Sequence, residues 1–95
     1  MYLTAYQTRG FIRKNVLMPT VLRDGPYRFY FYAANLIEPV HIHVQRDRNI
    51  AKFWLDPVRL ASAGGFRRPE LRRIMRKIEE HEALFIEAWH EFPRD

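Results

Sequence analysis

The sequence predicts an α+β domain: an antiparallel sheet of about four strands, arranged as two hairpins and covered on one face by a long C-terminal helix. Three features carry that prediction. Two pairs of apolar and aromatic segments are each joined by turn chemistry, "RDGP" at 23–26 and "RDR" at 46–48. In the second pair, apolar and polar residues alternate with period two. In the last third of the chain, apolar residues recur at spacings of three and four.

Residues 1–17 show no period and are expected to be a flexible extension, dispensable to a single domain over 18–95. Strands are expected near 20–23 and 27–33, where "TVLR" and "YRFYFYA" are rich in β-branched and aromatic residues. Tyr27, Phe29 and Phe31 then share one sheet face, and Arg28, Tyr30 and Tyr32 the other.

"ANLIEP" reads as a loop, and "VHIHVQ" and "NIAKFWL" as the second hairpin. A turn centred on Asp47–Arg48 sets Val44 opposite Ala51 and Ile42 opposite Phe53. Ile42, Val44, Ala51, Phe53 and Leu55 then form a core face, while His41, His43, Gln45, Lys52 and Trp54 form a polar one. The hairpins match if Arg28 and Tyr30 join the histidine side.

"DPVRLASAGGF" reads as a connector ended by Gly64–Gly65. "RRPELRRIMRKIEEHEALFIEAWHEF" reads as the long helix, with Pro69 in an early position where its missing N–H costs little. Leu71, Ile74, Met75, Ile78, Phe85, Ala88, Trp89 and Phe92 give one apolar stripe to cover the core face. Phe85 and Trp89 are expected to be core anchors, and His81 a structural residue at the core rim.

Composition narrows the function classes. The chain has no cysteine, which removes disulfides and thiolate metal sites and fits a reducing cytoplasm. No apolar run approaches the length of a membrane span, so a cytoplasmic protein without membrane contact is expected. The net charge is +5, unevenly placed: Arg67 to Lys77 hold six basic residues against one acid, and Glu79 to Glu91 hold five glutamates and no Lys or Arg. Arg67, Arg68 and Arg72 therefore lie at the helix end whose dipole is positive, the reverse of the favourable arrangement. Either an anion such as phosphate offsets this, or pairs such as Arg76–Glu80 and Arg72 with Glu79 or Glu80 do.

Several separated stretches resemble one family: "MPTVLR" (18–23), "YRFYFYA" (27–33), "EPVHIHV" (38–44), "AKFWLDPVRLA" (51–61) and "LRRIMRKIEEHEALFIEAWHEF" (71–92). Together they are similar to a small prokaryotic domain of unknown function with a PHIHV signature, some members of which are DhiT-type toxins of type II toxin–antitoxin pairs. The signature's second proline is Val40 here, and residues 1–17 precede the usual start. The resemblance implies a toxin acting on RNA as a metal-independent ribonuclease, with no cofactor. Its implied partner is a cognate antitoxin protein from a neighbouring gene.

His41 and His43, two apart on a strand, should point the same way. Three readings stay open: polar residues on a solvated face, phosphate chemistry, or two metal ligands lacking a third. Asp56, Glu38 and His81 are the residues a metal would have to recruit, and no spacing singles one out. For phosphate chemistry, histidine's ordinary pKa suits an acid or a base, with Lys52 or Arg28 holding the phosphate and Trp54, Tyr30 and Tyr32 stacking bases. His41, His43 and Lys52 are thus the catalytic candidates. Arg28, Tyr30, Trp54, Arg67, Arg68 and Arg72 are the nucleic-acid candidates. The rival function is a non-enzymatic module that holds a partner protein or nucleic acid on its polar sheet face.

Overall fold

A computed structural model describes residues 18–92; the expectation for residues 1–17 lies outside them. The architecture is α+β, as the pattern predicts, with five strands and two helices where four strands and one helix were expected. In chain order the elements are β1 (Thr20–Asp24), β2 (Tyr27–Tyr30), a short 3-10 turn (Ala33–Asn35), β3 (His41–Arg46), β4 (Asn49–Trp54), β5 (Arg59–Ser62), α1 (Arg68–Glu80) and α2 (Glu82–Glu91). The strands form an antiparallel meander in sequence order.

The two hairpins form where turn chemistry allows. Gly25 (φ 61°) and Asp47 (φ 57°) take the positive φ that tight primed turns demand, and Arg46 pairs with Asn49 across Asp47–Arg48. This fixes the anticipated register: Ile42 opposite Phe53 and Val44 opposite Ala51. Phe29 pairs with Val44, so the Phe side of the first hairpin is core, and Arg28 and Tyr30 lie opposite Gln45 and His43.

The fifth strand lies inside the segment expected to be a connector. "RLAS" shows no apolar alternation, and all four of its residues are exposed, so nothing in its side chains marks it as sheet. It is held as the edge partner of β4, with Leu60 opposite Phe53. The turn that follows requires glycine: Gly64 has φ +58°, and a Cβ there would lie 1.6 Å from the Ile50 carbonyl oxygen.

The second difference is the break at His81. Its backbone leaves helical values (φ −115°, ψ 18°), and its ring Nδ1 lies 2.9 Å from the Lys77 carbonyl, within the turn that should carry the helix on. The half-buried His81 ring rests beside Phe85 at the core rim.

Both helices send the predicted stripe inward. Ile74, Ile78, Phe85, Ala88 and Trp89 join Phe29, Phe31, Ile42, Val44, Ala51, Phe53 and Leu55 in one buried cluster, with Leu71 and Met75 partly covered at its edge. Each large side chain fully buried this way contributes roughly 1.5–3 kcal/mol. Phe85 stacks on Phe29 (5.4 Å between ring centres), and Trp89 meets Phe31 edge-on (5.3 Å).

The start of α1 is tied to the sheet by a contact the sequence did not reveal. Arg46 grips Glu70 with two hydrogen bonds, Nε to Oε2 (2.6 Å) and Nη2 to Oε1 (2.9 Å), and the Tyr27 hydroxyl donates to the same carboxylate (2.6 Å). These hydrogen bonds, that from Arg46 foremost, hold the Glu70 pKa down to about 2. One well-held carboxylate in the first turn complements the helix dipole among the arginines. Among the described residues, Arg72 and Arg76 form no ion pair with Glu79 or Glu80.

Candidate functional site

The face of the sheet away from the buried cluster brings six of the predicted residues together. His43 lies at its centre, opposite Lys52 on β4 and opposite Tyr30 on β2. His41 faces Trp54, and Arg28 faces Gln45. Period two on three adjacent strands suffices to gather them.

The rings form a continuous array. Tyr30 and His43 are stacked with centres 5.3 Å apart, and His41 meets His43 edge-on at 5.2 Å. The His41 ring also meets Trp54 at 5.7 Å and Trp89 of α2 at 5.0 Å. Two cations lie over aromatic rings: Arg28 over Tyr30 (4.2 Å) and Lys52 over Trp54 (4.6 Å).

This face is less solvated than alternation alone suggests. His41 is fully buried at 0 % exposure and Tyr30 is at 3 %, while His43, Lys52, Arg28 and Trp54 are half-buried. Tyr30 is already covered by Arg28 and His43, so a base cannot stack on it as expected. Trp54 keeps an open portion. Arg28 is also committed: its Nε donates to Thr20 Oγ1 (2.7 Å) and its Nη2 to the Met18 carbonyl (2.7 Å).

Glu38, in the loop before β3, organises the cationic side. Its carboxylate accepts a hydrogen bond from Lys52 Nζ and lies 3.8 Å from His41 Nδ1. The Lys52 hydrogen bond holds the Glu38 carboxyl below the ordinary range. The loop also fixes the His41 tautomer. Nδ1 lies 2.9 Å from the Pro39 carbonyl, which can only accept, so Nδ1 carries the proton and Nε2 is a bare acceptor. That Nε2, and Nδ1 of His43, are buried without a hydrogen-bond partner. Unpartnered buried nitrogens cost stability, and these two lie on neighbouring rings.

Electrostatics change the roles open to the histidines. Burial, then the neighbouring His41 and Lys52, lowers the His43 pKa to about 4. Burial likewise lowers that of His41, against the opposing Pro39 hydrogen bond. Both imidazoles are therefore neutral at pH 7. They are proton acceptors, whereas an acid–base pair working at neutral pH needs one of them charged.

Arg67, Arg68 and Arg72 are not brought to this face. Arg67 precedes α1 without a side-chain capping bond, and Arg68 and Arg72 line a groove with Phe53 and Leu60, which face the helix layer. A metal reading also loses its ligand set: among the described residues, no three His, Asp or Glu side chains come together to hold an ion. His81 is engaged with Lys77, and the exposed Asp56 donates its backbone N–H to Glu82. The roles of Glu38 and Trp89 were missed. Glu38's only sequence signal was its place three residues before His41, and Trp89 was legible as core but not as a neighbour of the histidines.

A model of the family described as "Domain of unknown function (DUF4160)" matches residues 27–90, from the start of β2 to near the end of α2. No curated protein and no solved structure matches the chain.

Proposed function

The chain belongs to the DUF4160 family, a domain of unknown function, and within that family we propose that it is the toxin of a type II toxin–antitoxin pair, acting on RNA at the face around His43. The resemblance of "EPVHIHV", "AKFWLDPVRLA" and the C-terminal motif supports the toxin class. The observation that carries the chemistry is His43 itself: a neutral, half-open imidazole held between Tyr30 and Lys52.

In this reading the RNA 2′-hydroxyl attacks the adjacent phosphorus. The P–O2′ bond forms, the P–O5′ bond breaks, and the products are a 2′,3′-cyclic phosphate and a 5′-hydroxyl. His43 accepts the 2′-hydroxyl proton, and a water molecule protonates the leaving 5′ oxygen. A bound phosphodiester raises the basicity of His43, because a nearby anion favours imidazolium. Lys52 offsets the charge that develops on the phosphate oxygens, and Trp54 supplies a face for a flanking base. His41 is a positioning residue, buried behind His43.

One observation favours the second reading, a binding module. Glu38 pairs with Lys52, and Arg28 spends its donors within the sheet. The two cations nearest His43 are thus already engaged, which suits a protein partner, including the antitoxin. Expression of the full chain in a bacterial host separates the readings. The toxin reading predicts growth arrest that His43→Gln relieves while the protein remains folded and abundant. Arrest that persists in the His43→Gln strain assigns the effect elsewhere.

A further inference from the structure

The second surface is the open edge of the sheet beside β5. Among the described residues β5 has a strand on one side only, and no strand pairs with its outer backbone groups. Leu60 is 44 % exposed there and borders a groove between the sheet and α1. Phe53 and Leu60 from the sheet, with Leu71 and Met75 from α1, floor a groove of about 190 Å³ rimmed by Arg68 and Arg72.

These residues share a helix face because 68, 71, 72 and 75 recur at spacings of three and four. The apolar residues provide no hydrogen-bonding group, and the two arginines provide only donors. The volume is below the roughly 300–1,000 Å³ of small-molecule sites, so it suits a side chain or two of a longer ligand.

We infer that this edge binds an extended acidic–apolar peptide segment of a partner protein, which adds a strand to β5, sets apolar side chains into the groove and pairs its carboxylates with Arg68 and Arg72. Strand addition supplies main-chain hydrogen bonds, and the groove supplies specificity. The carboxylates match the bidentate geometry of guanidinium groups. The chain's own segment before residue 18 fits poorly, since it carries Arg9, Arg13 and Lys14 and no acid. RNA fits less well too, because the floor of the groove is mostly aliphatic. This surface lies on the helix side of the sheet, away from His43, so its occupancy is independent of the reading given to that face.

The test uses the full chain and a fluorescein-labelled peptide in which Leu and Glu alternate on one strand face, with Thr between them. A second peptide carries Lys in place of Glu. Fluorescence anisotropy should show saturable binding of the Glu peptide, weakened at least tenfold in the Arg68→Glu, Arg72→Glu chain. That double variant should instead take up the Lys peptide. Both substituted residues are exposed, and circular dichroism with thermal melting checks that the fold is intact. Leu60→Glu, which places a charge in the groove, should weaken the Glu peptide by a similar factor. Three results would overturn the inference: no binding of the Glu peptide, equal binding by parent and double variant, or displacement of the Glu peptide by the Lys peptide on the parent chain. An arginine-dependent preference for a single-stranded RNA oligonucleotide, or for a second copy of the chain in sedimentation, would also overturn it.

Discussion

The ring of His41 meets the ring of Trp89 with their centres 5.0 Å apart, which joins the candidate site on one face of the sheet to the helix that closes the other. Trp89 also braces Phe31 and is itself 4 % exposed. A core residue thereby supports a buried histidine, and that histidine lies against the half-open His43.

Trp89→Ala should consequently damage both fold and site. Truncating a buried aromatic costs about 3–5 kcal/mol, a large share of the roughly 5–10 kcal/mol that stabilises a small domain. Chemical denaturation should show the loss. A variant that keeps its midpoint would remove Trp89 from the core.

The two histidines should respond differently to replacement. Their shared polar face suggests that both tolerate glutamine, but His41 is enclosed and His43 is not. His43→Gln should keep the melting temperature within a few degrees. His41→Ala leaves a cavity against Trp54 and Trp89 and should cost about 1–3 kcal/mol. Equal melting temperatures for the two variants would contradict this ordering.

Acid should destabilise the protein in two separate steps. His43 has a folded pKa of about 4 against an ordinary 6.5. Between those values the unfolded chain binds a proton that the folded chain refuses, so stability falls as pH drops from about 6.5 toward 4. The effect of His43 is no more than about 3–4 kcal/mol, and because burial lowers the His41 pKa as well, His43→Gln should reduce this limb without abolishing it. Glu70, with a folded pKa of about 2 against 4.5, gives a second loss as pH falls below about 4.5. Glu70→Gln should flatten that one. Urea midpoints from pH 3 to 8 separate the two.

Gly64→Ala should be severely destabilising. Its Cβ would collide with the Ile50 carbonyl, and the positive φ penalises any other residue. Normal soluble yield and an unchanged melting temperature would show that this turn relaxes freely.

The hairpin registers were legible because alternation is unambiguous where one face is core: Ile42, Val44, Ala51 and Phe53 fix which way His43 and Lys52 point. β5 was not legible, because an exposed edge strand has no buried face to write a pattern into its side chains. The break at His81 was also hidden, since "EEHEA" contains neither glycine nor proline and the apolar stripe continues across it. In the site, periodicity gave the face but not its burial. The enclosure of His41 comes from Trp54 across the hairpin and Trp89 from the far end of the chain. The Glu38–Lys52 and Arg46–Glu70 pairs depend on distances between elements that no local pattern encodes.

Lys52 offers a check on the phosphate contact. If it meets one phosphate, Lys52→Ala should weaken RNA binding and lower the salt dependence by about one counterion. An unchanged salt slope would place the contact elsewhere.

In the proposed reaction His43 accepts the 2′-hydroxyl proton. The most direct test is the cleavage rate of a single-stranded RNA by the purified full chain and by its His43→Gln variant, with 2′-deoxy RNA as control. The parent should give 2′,3′-cyclic phosphate ends and leave the 2′-deoxy strand uncut, and the variant should cleave at least about 100-fold more slowly with RNA affinity retained. Equal rates in parent and variant, or RNA bound but never cleaved by the parent, would contradict it.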